Sequence, residues 1–252
     1  MRKKAFGLAA IYIAIALSIA VLSPASSAWT RGLRRGDHPC SPVQASLHSS
    51  WSGTLHTFTT GSNSRAPTVI SGSDGTHVVW EEAGSLYHSH GDDTDWTEPV
   101  SIAVGDSHAM AIDGDGWPHL VWANETDGKF RIYHGKWNGA DWGSSQTVFE
   151  TSIGQSGAPD IAVSVSIGGS IHVVWADYYA GKSRIYYAKS EDGRTWFEGG
   201  WIPGASGSVP ALAIGNDGTI HVAWQDAGEL GNTQNDIFYC ARPYDGDWPL
   251  FL

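Results

Sequence analysis

His77, His119, His172 and His221 each stand three residues before a tryptophan, in the phrases THVVWEE, PHLVWAN, IHVVWAD and IHVAWQD. Imidazoles at a repeated position could be metal ligands, general bases or architecture. The spacing favours architecture. Residues three apart on a strand face opposite ways, so each histidine lies on the face away from its tryptophan. Metal ligands must converge on one point, whereas equivalent positions spread round a ring diverge. The expected partners are backbone groups or side chains of an adjacent repeat, with the tryptophan filling the wedge between repeats. His88 and His90, two apart on one strand face, form a second candidate metal pair. No third ligand stands at a matching spacing, so neither a metal nor a cofactor is expected.

Other residues could move a proton or grip a ligand. His108 stands where sister segments carry Pro67, Pro159 and Pro210, and Asp160 stands where they carry Thr68, Ala109 and Ala211. If these segments line a channel, His108 and Asp160 could meet near its axis as an acid/base pair; the competing reading is two ordinary solvated residues. Two residues after each repeated tryptophan stand Glu82, Asn124, Asp177 and Asp226. Together with Asn235 they could form a polar rim of hydrogen-bonding groups, beside the flat faces of Tyr178 and Tyr179. Arg131 and Arg184 lie across their loops from Asn124 or Glu125 and from Asp177, so cross-strand ion pairs or turn caps are the competing reading.

These residues need a scaffold. The repeated tryptophans, Trp80, Trp122, Trp175 and Trp224, are 42, 53 and 49 residues apart. Each repeat has the same parts: a first strand at 66–71, 108–112, 158–163 and 209–214; a tight turn rich in Asp, Asn and Gly; the His–Trp strand; and a third strand at 85–90, 131–136, 184–189 and 236–241. Asp-Gly and Gly-Gly supply the positive φ of short hairpin turns. A second tryptophan then opens a fourth strand, at Trp96, Trp142, Trp196 and Trp248. Four short strands per repeat at this period predict an all-β fold, a β-propeller of four-stranded antiparallel blades. Trp51 to Thr60 matches Trp142 to Thr151, so an extra fourth strand precedes the first repeat. The ring is then either small and clasped by that strand, or the front portion of a longer six-bladed propeller. The half-made strand after Trp248 favours the second, because an exposed edge is a liability.

Residues 1–28 carry a basic start, an apolar run from Ala5 to Leu22, and the small residues Ser26-Ser27-Ala28. This is the pattern of a secretory signal peptide, followed by a tail at 29–50 and the propeller domain at 51–252. The expected location is therefore secreted, periplasmic or at the cell surface, with no membrane association after cleavage. The chain has 15 Lys+Arg against 26 Asp+Glu. Removing Arg2, Lys3 and Lys4 leaves 12 against 26, a net of −14. Such a surface repels nucleic acid at long range, which excludes it as a partner.

The turn Ser190-Glu191-Asp192-Gly193-Arg194-Thr195-Trp196, with IHVVWAD and RIYYAKS before it, resembles the Asp-box repeats of the sialidase superfamily over residues 51–252. It is one residue shorter between Asp192 and Trp196 than the family's box. The resemblance implies a propeller whose Asp-box turns lie opposite the functional face, so Asp192 and Trp196 would be fold residues. It also implies a glycan or cell-surface ligand on the loop face, with Tyr178 and Tyr179 stacking on sugar. Sialidases grip a carboxylate with three arginines, for which Arg65, Arg131 and Arg184 are the available set, but the family's Arg-Ile-Pro motif is absent. The leading expectation is thus a non-catalytic glycan-binding propeller. A sialidase-type glycoside hydrolase and a cell-envelope protein-interaction scaffold are the alternatives. Cys40 and Cys240 could staple a closed small ring; in a longer ring Cys240 would be a buried free thiol.

Overall fold

The computed structural model describes residues 55–58, 63–92, 95–150, 161–166, 168–179, 182–226, 236–244 and 246–249, with only the backbone at 161–163, 178 and 179. All belong to one compact unit, Trp51–Leu252. The leader, the tail, Asp160, Asn235 and Cys40 lie outside the described residues.

The described chain is all β and antiparallel. Blade I comprises β1 (Arg65–Gly72), β2 (Gly75–Glu82), β3 (Ser85–Asp92), β4 (Asp95–Trp96) and β5 (Val100–Val104). Blade II comprises β6 (Asp106–Ile112), β7 (Pro118–Thr126), β8 (Lys129–Lys136) and β9 (Gln146–Glu150). Blade III comprises β10 (Ile161–Val165), β11 (Ile171–Tyr179), β12 (Lys182–Ser190) and β13 (Trp196–Ser206). Blade IV comprises β14 (Ser208–Ile214), β15 (Ile220–Asp226) and β16 (Asp236–Arg242). Each sheet runs in sequence order as a meander. The first strands pack in a row, β1 on β6, β6 on β10 and β10 on β14, which gives a propeller-like stack of blades.

The expected first, second and third strands are all present. The fourth strands differ. Only β13 begins at its tryptophan; β9 begins four residues after Trp142, and blade I breaks its outer strand between β4 and β5. Pro99 sits in that break and cannot donate to the ladder. No strand begins at Trp248 among the described residues.

Alternation gives each blade two apolar faces, and the core is the set of seams between blades. The first seam joins Val79 and Leu86 to Leu120 and Trp122; the second joins Val121 and Ile132 to Val173 and Trp175; the third joins Val174 and Ile185 to Val222 and Trp224. Each repeated tryptophan stacks on an aromatic of its own third strand: Trp80 on Tyr87, Trp122 on Tyr133, Trp175 on Tyr186 and Trp224 on Phe238, with ring centroids 5.6 to 6.0 Å apart. Cys240 is a free thiol buried in the third seam, where burial pushes its pKa up to about 11. A thiol so protonated is a poor nucleophile.

Candidate functional site

The repeated histidines do lie opposite their tryptophans, but their partners differ from those expected. Each bonds mainly within its own blade. His77 joins Asp74 of the strand turn (Nε2 to Oδ1, 2.9 Å) to His88 of β3 (Nδ1 to Nε2, 3.0 Å). His119 likewise joins Asp113 (3.2 Å) to His134 (2.9 Å), and His134 reaches the carbonyl of Gly193 in blade III at 3.2 Å. In blades III and IV the third-strand position is tyrosine: His172 Nδ1 is hydrogen-bonded to the Tyr187 hydroxyl and His221 Nδ1 to the Tyr239 hydroxyl, both at 2.8 Å. The second tryptophan of the following blade stands tilted steeply to that third-strand ring, Trp142 to His88, Trp196 to His134 and Trp248 to Tyr187, at 5.2 to 5.4 Å. The indole N–H groups of Trp142 and Trp196 are buried without a hydrogen-bond partner.

Burial governs how these rings titrate. It lowers His77 and His119 below the ordinary histidine value, and lowers His88 to about 3 and His134 and His172 to about 4. The blade II relay has acceptors at both ends, Asp113 and the Gly193 carbonyl. Its three contacts need three protons, and two neutral imidazoles carry two. With both rings kept neutral by burial, one of the three contacts lacks its proton at any moment, and the relay serves as architecture. His90 stacks on His77 and His88 at 5.3 and 5.5 Å, and among the described residues no three His, Cys, Asp or Glu are grouped to hold a metal.

The polar cluster lies at the other end of the blades, where β1 and β6 begin. Glu81, nearly fully buried, accepts from Arg65 Nε at 2.7 Å and from the Ser107 backbone N–H at 2.8 Å, and its Oε1 is 3.7 Å from His108 Nδ1. Burial pushes the Glu81 carboxyl up, but His108, Arg65 and the Ser107 N–H outweigh it and hold the pKa at about 2. Asp106, half-buried, shifts the other way: burial and the charge of Glu81 raise it. The backbone here is strained. Ser107 has φ +46°, and Ala66 and Val209, at the matching bulges of β1 and β14, have φ +49° and +52°.

His108 is therefore not a solvated channel residue. Its side chain is fully buried, with Nε2 3.3 Å from the Val79 carbonyl, because the bulge after Asp106 turns it into the seam beside Glu81. Its expected partner Asp160 lies outside the described residues. Of the polar rim, Glu82 accepts from Trp80 Nε1 at 3.2 Å and Asn124 reaches Thr126 at 3.4 Å. Asp177 and Asp226 are buried, the first directly across the ladder from Arg184 and the second from Asp236. Tyr178 and Tyr179 end β11 opposite Ser183 and Lys182, and Asn235 falls outside the described residues. Arg131 pairs with Glu150 at 2.8 Å rather than with Asn124 or Glu125, and Arg184 lies over the Trp201 ring at 4.7 Å. Arg65, Arg131 and Arg184 are thus each engaged by different groups in their own blades.

Sequence reasoning passed over Glu81 and Asp106. A signal existed: Glu81 is a carboxylate where the sister repeats have Ala123, Ala176 and Gln225.

No family model matches the chain, and no curated protein matches it. Among solved structures it is similar to the polysaccharide lyase PL25-Ulvanlyase bound to -[GlcA(1-4)Rha3S]-, at 15% identity and a TM-score of 0.50, over 69% of this chain and 50% of that one. The likeness is one of fold. It is also similar to polysaccharide lyase Uly1 (9% identity, TM-score 0.48, 71% of this chain and 57% of that one). A third is the alpha-L-arabinofuranosidase CtGH43 from Clostridium thermocellum ATCC 27405 (13% identity, TM-score 0.45, 74% and 72%). The chain spans about half the length of several of the solved structures it matches, 48%, 50% and 57% in three cases.

Proposed function

We propose that this is a secreted, propeller-like glycan-binding protein whose site is the loop end of blades I and II, around Asp106. The observation that carries this reading is the cluster of Arg65, Glu81 and Asp106 at the mouth of the first strands. There one carboxylate is held ionised by fixed donors and its neighbour is half-buried with a raised pKa. A convergent set of positioned polar groups with perturbed titration marks a ligand site better than scattered surface charge does. The lyase that shares the fold is bound to a glycan, which agrees with this reading without establishing it. Secretion rests on the leader at residues 1–28.

A second reading has one observation in its favour. Two neighbouring carboxyls whose pKa values are pushed apart are the usual arrangement of an acid and an ionised partner in glycosidic cleavage. Asp106 would be the proton donor and Glu81 the fixed charge. The sialidase form of this reading is not favoured by the arginines, each of which is already engaged.

Binding of the purified protein to an array of neutral and acidic glycans tests the first reading. Asp106→Ala is expected to weaken binding at least tenfold with an unchanged melting temperature; no binding by the wild type would refute the proposal. Turnover of chromogenic glycosides, a sialoside and uronate polysaccharides tests the second. Any turnover should fall by about a hundredfold or more in Asp106→Asn, the loss expected of a missing general acid.

A further inference from the structure

Three seams carry a residue at one structural position of an outer strand, facing the stacked tryptophan of the next blade. In the second seam it is Phe149, paired across the ladder with Ile132, and its ring lies 5.1 Å from Trp175. Ahead of blade I, Phe58 does the same for Trp80 at 5.8 Å. In the third seam the position falls to Ala205, but β13 is irregular there and brings Ile202 into the core with Trp224. In the first seam the position is Ala103, paired with Leu86, with Ile102 packed beside it and no ring at that position. A cleft of about 300 Å³ remains, lined by Ala103, Trp122, Tyr133, Trp142, Asn124 and Ser145 among others.

We infer that this cleft between blades I and II is a binding site for a single neutral sugar ring. This rests on the glycan reading above for the class of ligand and goes beyond it in place and kind. The size is at the small end of ligand clefts, enough for one ring and not for an extended oligosaccharide. The chemistry of the walls sets the type. Trp122 and Tyr133 present a preformed aromatic pair, 5.6 Å apart and 23° from parallel, and Trp142 adds a third aromatic. Asn124 and Ser145 supply an amide and a hydroxyl. A pyranose has the matching character, with C–H faces for the aromatics and hydroxyl edges for the polar groups. Among the described residues no Asp, Glu, Lys, Arg or His lines the cleft, so an ionised sugar would enter without a counter-charge from them. Asn124 is also one of the rim residues singled out from sequence.

The molecule supplies its own control, since phenylalanine already fills the matching position at Trp175. Ala103→Phe should therefore close the cleft while keeping the fold, and Ala103→Leu is the milder version. Titration of the wild type with D-xylose, D-galactose, L-rhamnose and D-glucuronate, read by tryptophan fluorescence and saturation-transfer NMR, is expected to show millimolar binding of at least one neutral sugar and at least tenfold weaker binding of glucuronate. Ala103→Phe or Ala103→Leu should lower neutral-sugar affinity at least tenfold at an unchanged or raised melting temperature, and Asn124→Ala several-fold. Equal affinity in wild type and a folded cleft-filling variant overturns the inference, as does equal binding of glucuronate. If no monosaccharide binds while the glycan array is positive, the cleft assignment fails and the broader reading stands. If the array is negative as well, both fail.

Discussion

Between pH 7 and pH 5 the unfolding free energy is expected to fall by about 5 kcal/mol, because three buried histidines resist protonation in the folded state. Burial holds His88 at about 3 and His134 and His172 at about 4, against an unfolded value near 6.5. A histidine whose folded pKa is depressed binds fewer protons folded than unfolded. Its stability contribution is complete above the unfolded pKa and is lost as pH falls toward the folded one. By pH 5 each ring has given up about 2 kcal/mol, at about 1.4 kcal/mol per pH unit. His77 and His119 shift in the same direction and add to the loss. Glu81 and Asp113, both held at about 2, lose their contributions from about pH 5 downward, so they leave most of this window to the histidines. A fall of this size approaches the whole stability of an ordinary domain, about 5–15 kcal/mol. Urea midpoints followed by tryptophan fluorescence at pH 7, 6 and 5 measure it directly, and a flat profile would contradict the buried relays. His134→Gln should flatten the slope by about one third.

Gly207→Ala and Gly105→Ala are expected to abolish soluble expression or to cost about 4 kcal/mol or more, the range reserved for severe steric conflict. A methyl group on Gly207 would sit 2.2 Å from the Gln225 carbonyl oxygen and 2.8 Å from the Trp224 ring; on Gly105 it would sit 2.3 Å from the Ala123 carbonyl and 2.9 Å from the Trp122 ring. Both glycines also have positive φ, +143° and +148°. They occupy the same place in two blades, where the chain crosses from one outer strand into the next first strand and passes over the indole. The obstacle is backbone, so it cannot rotate away. Gly128→Ala is the comparison: φ is +72°, but nothing lies within 4 Å of the added carbon, and a cost of about 1 kcal/mol is expected. Thermal melts of the three variants decide it. Similar melting temperatures for Gly207→Ala and Gly128→Ala would mean that the crossing is not as tight as described.

Much of this fold was legible because it is periodic. The His–Trp strands, the Asp-Gly turns and the alternating third strands announce themselves by local chemistry repeated along the chain. Of the extra strand expected at Trp51–Thr60, residues 55–58 form no strand and the rest lies outside the described residues, although Phe58 does lie against Trp80 as Phe149 lies against Trp175. The outer strands were less legible. Trp142 packs on the preceding blade's histidine four residues before its strand begins, and Pro99 interrupts another ladder, so strand starts do not follow the landmark. The candidate site was least legible. Glu81 matters because of Arg65 and Ser107, 16 and 26 residues away. The cleft depends on what Ala103 lacks relative to a phenylalanine in a different seam. His108 went the wrong way for a related reason. Its place on a first strand suggested the channel side, and the bulge between Asp106 and His108 accompanies its burial in the seam instead.

The His221–Tyr239 pair has a consequence for how the molecule comes apart. It reproduces the His172–Tyr187 pair at the same 2.8 Å, yet Tyr239 and the adjacent Ile237 are 59% and 77% exposed, while Tyr187 lies deep in a seam. A stack of this kind behaves as a one-dimensional array, in which each unit's persistence is its own intrinsic term plus the coupling to its neighbours. Blades II and III draw on two couplings. Blade I draws on one and on the Phe58 cap, and blade IV, among the described residues, on one alone. Blades II and III, held from both sides, are therefore expected to open at a higher free energy than any blade coupled on one side alone, with the Trp175 seam between them the last to exchange.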